Sequence, residues 1–456
     1  MRDLKEFRIL DINAISHGYD ILDLMKNAGI ELANHIKKAF PEMSLFLFVC
    51  GKGNNAGDGF IAASILFKEG FNVKITTIEE TNKQVAKMAL KQYAGQIEPI
   101  SFIDDVVSES TLLIDCLLGS GIKGEPNQVY KKVIDKINFF KYILSVDVPS
   151  GFPTNTSVVP MQTITFHDLK KGMTGDRCGE VFVVDIGITE EIDECCGPGE
   201  FELFPALDSN KHKGQNGKVA IIGGGEYAGA PALAGIGAYR AGVDLVHVFV
   251  PSNHYGQVSA FAPELIVHKL DGEFITSDIL NSLKSHNFDS IVIGPGMGKR
   301  SESIGAVRDL ILNFDNLVID ADAIQRYNFH GKNILLTPHG GELSNLGVKS
   351  SKDQLMQFSL ESDVTLLFKG KVDYITNGIY FKKNFTGHPR MAVGGTGDLL
   401  AGICGGLMAR GLTTFEAARL GSYVTGLAGE MSFEEYGSGF LPSELALCVS
   451  KIFGKI

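Results

Sequence analysis

The chain has 456 residues and a formal net charge of −11. Hydrophobic residues make up 44% and charged residues 21%, enough for more than one buried core, and this excludes a disordered or low-complexity chain. The acidic balance disfavours a general nucleic-acid binder, and no apolar run approaches the ~18 residues of a membrane span.

The first residues, MRDLKEFRILDINAIS, lack a signal-peptide core, so a cytoplasmic protein without membrane or nucleic-acid partners is expected. The seven Cys include no CxxC pair, which argues against a disulfide framework. The 53 Gly cluster just after apolar runs, where backbone approaches a ligand most closely.

Leu22, Met25, Gly29, Leu32 and Ile36 keep helical spacing and predict an amphipathic helix. Three similar strand-like segments follow. SLFLFVC (44–50) leads into GKGNNAGDG, TLLIDC (111–116) into LLGSG, and YILSVDV (142–148) into PSG. Helix-length stretches such as 60–70 lie between them, and EVFVVDIGI (180–188) closes the series. Continuous apolar runs alternating with helices predict a buried parallel sheet, with ligands beyond the strands' carboxyl ends.

Residues 189–217 turn polar and Gly/Pro-bearing, which puts a boundary near 205–212 and divides the chain into 1–207 and 208–456. The alternation then restarts. KVAIIGGG, VDLVHVFV, DSIVIGPG, NLVIDAD, NILLTPHG and DVTLLFKG read as strands, and a small-residue helix is expected from about Leu399 to Arg410. The architecture predicted is two α/β domains.

Four motifs carry chemistry. Gly51–Gly59 places Asn, Asn and Asp among glycines between a strand and a helix, which suits an anion near a helix start. A tight βα turn explains the same string. Asp115 and Asp147 each end an apolar strand, and a carboxylate there serves a cation, acid/base chemistry or a helix cap. Gly394-Gly395-Thr396-Gly397-Asp398 opens a helix, where backbone donors hold a transferring phosphoryl group and Asp398 takes a hydroxyl proton. A glycine-rich helix start is the plainer alternative. Thr337–Glu342, Lys369-Gly370, Gly294–Gly298, Asp320 and Asp322 are lesser signals, each also readable as structural.

Together these motifs resemble two known domains in a known order. GKGNNAGDG, DCLLGSGIKGE, SVDVPSG, TITF and VVDIGI are similar to the NAD(P)H-hydrate epimerase domain. HKGQNGKVAIIGG, YAGAPALAGIGAYRAGVDLV, GPGMG, TPHGGE, FKG and MAVGGTGDLLAG are similar to the ADP-dependent NAD(P)H-hydrate dehydratase, of the ribokinase-like superfamily. The sequence departs from the family pattern at Ala56, where Gly is usual, and at Gly340, where Pro is usual.

The resemblance implies a Rossmann-like N-terminal sheet with flanking helices and a ribokinase-like C-terminal α/β domain. It implies that R and S epimers of hydrated NADH or NADPH interconvert in the first domain, and that the second dehydrates the S form with ADP as phosphoryl donor. Asn54, Asn55, Ala56, Gly57 and Asp58, with Gly119, Ser120, Gly121, Ile122, Lys123, Gly124 and Glu125, would hold the dinucleotide. Asn55, Asp115 and Ser150 would bind K⁺, and Asp147 would be the acid/base at C6.

In the second domain, Asp398 would be the catalytic base. Ala230, Gly298 and His339 would border the hydrate. Lys369, Gly370, Lys371, Val372, Asp373 and Gly397 would border the nucleotide, with Mg²⁺ accompanying it. A homo-oligomer is also expected from the family. Two other functions compete: a ribokinase-like kinase for vitamins or sugars, and a non-catalytic nucleotide-binding scaffold.

Overall fold

The computed structural model describes residues 1–122, 124–206, 210 and 212–454. It divides into two compact units, Met1–Asp193 and Glu194–Ile456. The boundary expected at 207/208 lies outside the described residues, and the compact units part earlier. The cause is local. Glu194 accepts from Lys352 and, at 2.8 Å, from Lys383, while the Cys196 amide donates to the Lys383 carbonyl. Farther on, Glu200 and Arg419 form a fully buried ion pair at 2.9 Å. Residues 194–203 look like linker by composition, yet these contacts make them part of the second unit.

The first unit carries seven parallel strands: β1 (Leu45–Cys50), β2 (Val73–Thr77), β3 (Ile97–Glu98), β4 (Thr111–Cys116), β5 (Tyr142–Val146), β6 (Gln162–Phe166) and β7 (Glu180–Val184). Their spatial order is β3-β2-β1-β4-β5-β6-β7. Phe46, Phe48, Leu112 and Ile114 point into one core, while Leu47, Val49, Leu113 and Ile143 point into another. Both sheet faces are therefore buried, which is why these strands read as unbroken apolar runs.

The order reverses between β1 and β4, so the loops after these two strands diverge and leave a crevice at their carboxyl ends. Gly51 lies where they first meet. A Cβ there would sit 2.0 Å from the Leu117 carbonyl oxygen, so no side chain fits. The helix after β1 spans Asn54–Lys68 and starts earlier than the stretch at 60–70 predicts. Asn54 to Gly59 form its first turns, not a loop ahead of it.

The second unit carries nine strands: β8 (Lys218–Ile222), β9 (Leu245–Pro251), β10 (Ile266–Leu270), β11 (Ser290–Ile293), β12 (Asn316–Ile319), β13 (Asn333–Leu336), β14 (Thr365–Phe368), β15 (Asp373–Thr376) and β16 (Phe381–Asn384). Their order is β10-β9-β8-β11-β12-β13-β14-β15-β16, and only the last two pairings are antiparallel. Helix Thr396–Ala409 crosses helix Gly229–Arg240 very closely. A Cβ on Gly402 would meet the Ala234 carbonyl at 1.8 Å, and one on Gly237 the Leu399 carbonyl at 2.2 Å. Small residues thus bring the start of the later helix beside Leu233. Among the described residues, no helix is long and apolar enough to cross a membrane.

Candidate active sites

In the first unit a cleft of about 950 Å³ opens at the carboxyl ends of the strands. Asn54, Asn55, Asp58, Gly119, Ser120, Gly121, Ile122, Gly124, Glu125 and Asp147 line it. Lys123 lies outside the described residues. Ala56 and Gly57 are not among the lining residues. Both are buried, and a Cβ on Gly57 would meet the Met25 side chain at 2.4 Å, so this turn packs against helix Ile21–Ala39.

Asp147 is aimed by backbone conformation. Its φ is +66°, and the Val148 amide donates to the Val146 carbonyl at 2.8 Å, closing a three-residue turn. His167, after β6, has φ +69° and sits in the same kind of turn, closed from Asp168 to Phe166. A non-glycine residue in this region costs roughly 1–2 kcal/mol, so the surroundings must hold it. Lys170 is what holds Asp147. The lysine is 1% exposed and its Nζ pairs with the Asp147 carboxylate at 2.7 Å. The same Nζ donates to Thr165 Oγ1 and the Phe166 carbonyl and stands 4.2 Å from the centre of the Phe7 ring.

Two further carboxylates share this space. Asp11 is exposed and faces the cleft. Desolvation, then the charge of Asp147, push its carboxyl up to about 6 against the opposing pull of Lys170. Asp58 is raised well above the ordinary range by burial, with Asp147 and Asp11 adding to it.

Asp115 and Ser150 lie behind the cleft, fully buried. The Asp115 carboxylate accepts from Ser145 Oγ at 2.8 Å, the Ser150 amide at 2.9 Å, Ser150 Oγ, and the Leu117 amide at 3.3 Å. Burial raises its carboxyl, and these hydrogen bonds oppose the rise. Asn55 differs: its amide is buried, and neither Nδ2 nor Oδ1 has a hydrogen-bond partner.

The second site gathers around Asp398. Gly395 caps helix Thr396–Ala409 at φ +104°, a conformation that favours glycine, and a Cβ there would also strike Leu233 at 2.6 Å. Asp398 in the first turn is half-buried. Desolvation, with Asp320 and Glu342, pushes its carboxyl up to about 7 against the pull of Lys369. Lys369, just after β14, pairs with Asp320 at 2.7 Å, and Thr337 donates to the same Asp320 oxygen at 2.7 Å. Burial opposes the lysine's charge, but Asp320 and Glu342 more than offset this, and its pKa is raised. A Cβ on Gly397 would sit 3.3 Å from Lys369 Nζ, so the lysine lies against the helix start.

His339 caps the short helix Gly340–Asn345 through Nδ1, and Glu342 returns a bond from the His339 amide at 2.8 Å. The imidazole remains exposed. Lys371 and Val372 form the turn before β15. Asp373 closes that turn by accepting from the Gly370 amide at 3.0 Å and from Ser422. Gly298 at φ +81° lies beside Glu226, and a Cβ on the nearby Gly296 would meet Ala230 at 3.1 Å.

The family described as NAD(P)H-hydrate dehydratase matches residues 219–451, and that described as YjeF-related protein N-terminus matches 21–172. A bifunctional NAD(P)H-hydrate repair enzyme from Methanothermobacter thermautotrophicus is 34% identical, with 95% of this chain and 92% of the relative covered. One from Archaeoglobus fulgidus is 34% identical over 98% of this chain and 97% of the relative. The chain belongs to the bifunctional NAD(P)H-hydrate repair enzyme family.

Among solved structures, an ADP/ATP-dependent NAD(P)H-hydrate dehydratase from Bacillus subtilis, co-crystallised with ATP/Mg²⁺, superposes with a TM-score of 0.51 at 23% identity. It covers 56% of this chain and 96% of its own, and at that identity it shows the fold alone. A ribokinase-like superfamily protein from Enterococcus faecalis aligns equally well, with a TM-score of 0.51 at 24% identity, over 56% of this chain and 93% of its own. The second unit of this repair-enzyme family member thus has the ribokinase-like fold.

Sequence reasoning missed Asp11, His167 and Lys170. Asp11 left a signal: it lies between Phe7 and Leu10 on one side and Ala14 on the other, all buried, on a helix face that should be apolar. Lys170 left none, since it is one of two adjacent lysines and only its neighbours in space distinguish it.

Proposed function

We propose that the chain repairs hydrated nicotinamide dinucleotides at two sites: the first unit interconverts the R and S epimers of NADHX and NADPHX, and the second dehydrates the S form with ADP. The observation that carries this reading is the pair of sites at strand carboxyl ends, each with one lysine among carboxylates, in a chain whose two halves match the two halves of the repair family.

In the second site hydroxide is a poor leaving group, so the C6 hydroxyl is first made a phosphate ester. Asp398, held near neutral pKa, takes the hydroxyl proton as the oxygen attacks the β-phosphorus of ADP. The bond to the AMP oxygen breaks, AMP departs, and the C6–O bond then breaks to release phosphate and restore the dihydronicotinamide. Amides of Gly395 and Gly397 at the helix start stabilise charge on the phosphoryl oxygens. Lys369, Gly370, Lys371, Val372, Asp373 and Gly397 border the nucleotide, and Ala230, Gly298 and His339 the hydrate. The Glu342 carboxylate, which takes no part in the proton transfer, is the oxygen donor here that suits Mg²⁺, which would neutralise phosphate charge when bound.

In the first site Asn54, Asn55 and Asp58, with Gly119 to Glu125, hold the dinucleotide, while Ala56 and Gly57 pack behind that turn. Asp147 is the acid/base at C6, oriented by Lys170. Asn55, Asp115 and Ser150 are the K⁺ ligands. The donor set fits a hard cation, since it is all oxygen and Asn55 Oδ1 is buried without a partner. Asp115 already accepts four hydrogen bonds, so Asn55 is the ligand most in need of the ion.

The test is incubation with mixed R/S NADHX and a nucleotide, following the absorbance of restored NADH. Complete conversion of both epimers with ADP is expected. No recovery with ADP or ATP overturns the reading, and nucleotide consumption without NADH points to a kinase for another substrate.

A further inference from the structure

At the sheet edge formed by β9 and β10, three imidazoles converge. His247 is the third residue of β9, His268 lies mid-strand in β10, and His286 precedes β11. One ring nitrogen from each lies within 4.8 Å of the others. His247 Nδ1 and His268 Nε2 are 2.8 Å apart, with ring planes only 10° apart and centroids at 5.0 Å. That separation, with a contact this short, makes the two rings an edge-to-edge hydrogen-bonded pair. His286 tilts over both, at 52° and 54°.

Aromatic neighbours fix these orientations. Phe249 packs on His268 at 4.4 Å and 11°, and Phe288 meets His247 edge-on at 5.2 Å. No acidic group belongs to the cluster. Its place in the fold separates it from the nucleotide site. The proposed catalytic residues of this unit stand at the carboxyl ends of β12–β14 and at a helix start. The imidazoles lie at the opposite edge of the sheet, and His286 lies ahead of the amino end of β11.

We propose that His247, His268 and His286 form a binding site for a borderline divalent transition metal such as Zn²⁺, which staples the edge strands β9 and β10 to the segment entering β11. Three neutral imidazoles suit Zn²⁺, Ni²⁺, Co²⁺ or Cu²⁺, whereas Mg²⁺ prefers oxygen. Tetrahedral Zn²⁺ with bonds of about 2.0–2.1 Å places its ligand nitrogens roughly 3.3 Å apart. The observed 2.8 Å to 4.8 Å spread reaches that spacing by small side-chain rotations. The donor ring of the His247–His268 pair shifts its proton to its other nitrogen when the metal enters, so each ring then gives a lone pair and the neutral histidines lose no net proton. Water fills the fourth position, since His286 is exposed. Lys218 stands close enough to His247 to be felt electrostatically and limits the affinity.

The experiment is titration of the nucleotide-free full chain with Zn²⁺ by calorimetry, with Co²⁺ visible absorption reporting imidazole coordination. The same titrations are run on His286→Gln and His268→Gln. His286 is exposed, so His286→Gln should keep the fold, checked by circular dichroism and unchanged NADH recovery. One Zn²⁺ equivalent is expected in the wild type, at least ~10-fold weaker in each variant, with a Zn²⁺-induced rise in melting temperature that the variants lack. No saturable uptake by the wild type, or uptake unchanged in both variants, overturns the proposal.

Discussion

Each unit sets one enclosed lysine among three carboxylates, but the two lysines choose different partners. In the first unit Lys170 pairs directly with Asp147, the carboxylate that a strained turn aims into the cleft, and Asp11 and Asp58 are left with raised pKa values. In the second unit Lys369 pairs with Asp320, the strand-end carboxylate, and leaves Asp398 at the helix start near 7. The ingredients are the same and the assignments are opposite. In the second unit the proposed base, Asp398, is the carboxylate that the lysine leaves unpaired, whereas in the first the proposed acid/base, Asp147, is itself the lysine's partner.

The sharpest way to break this comparison is to remove one carboxylate from each unit. Asp398→Asn keeps size and hydrogen bonding but removes the base. General-base contributions run about 10²–10⁴-fold, so NADH recovery should fall by that order while R-to-S exchange persists. Asp147→Asn should do the reverse: S is consumed, and R lingers at its spontaneous rate. Chromatography of the two epimers reads both outcomes. Loss of both activities in a folded Asp398→Asn protein would refute two separate sites.

The next effect concerns stability in one unit alone. Arg419→Met strands the Glu200 carboxylate in a fully buried position. Breaking a buried pair by removing one partner costs about 3–5 kcal/mol. Denaturant unfolding should show the second unit's transition shifted by that amount, with epimerisation and the first unit's transition unmoved. A shift in the first unit's transition would show that residues 194–203 serve both units.

Much of both folds was legible because strands buried on two faces leave long apolar runs and glycines mark their carboxyl ends. Strands that mix polar and apolar residues were missed, β2 (VKITT) and β10 (IVHKL) among them, although they are as long as several that were read. The β15–β16 hairpin carried a usable signal in Asn377-Gly378, but DYIT and FKKN around it are too polar to read as strands. Within the sites, the residues in glycine-rich motifs were legible and Lys170 was not. Its burial depends on Phe7, Thr165 and Asp147, which only the fold assembles. Asp115 was visible as a strand-end acid, but not the four donors that hold it.

Proton linkage offers a smaller and more discriminating test. Asp398 moves from an ordinary 3.8 to about 7 on folding. Between those values the folded chain keeps a proton that the unfolded chain has lost. The stabilising contribution is therefore complete below about pH 4 and is lost as pH rises through 7. Asp398→Asn removes this dependence. Relative to wild type it should gain up to ~4 kcal/mol in the second unit between pH 4 and pH 8. The wild-type kcat/KM for dehydration should fall about tenfold per unit below pH 7. A stability difference independent of pH would mean that Asp398 stays ionised throughout, and that Lys369 reaches it more strongly than its pairing with Asp320 suggests.

The smallest effect has the most informative sign, and it lies in the first unit. Asn55 buries both amide atoms without partners, whereas Asp115 is fully bonded. An unsatisfied buried polar group costs about 1–3 kcal/mol. Without a cation, Asn55→Ala should therefore be neutral or stabilising, because it removes a penalty and leaves Asp115 untouched. With K⁺ present, Asn55 Oδ1 is a ligand, and the same substitution should destabilise the first unit and weaken the K⁺ dependence of epimerisation. Thermal unfolding of wild type and Asn55→Ala in K⁺ and in a bulky organic cation measures the sign change. The same ΔΔG in both salts would show that no ion reaches Asn55, and the orphaned amide would then serve the dinucleotide directly.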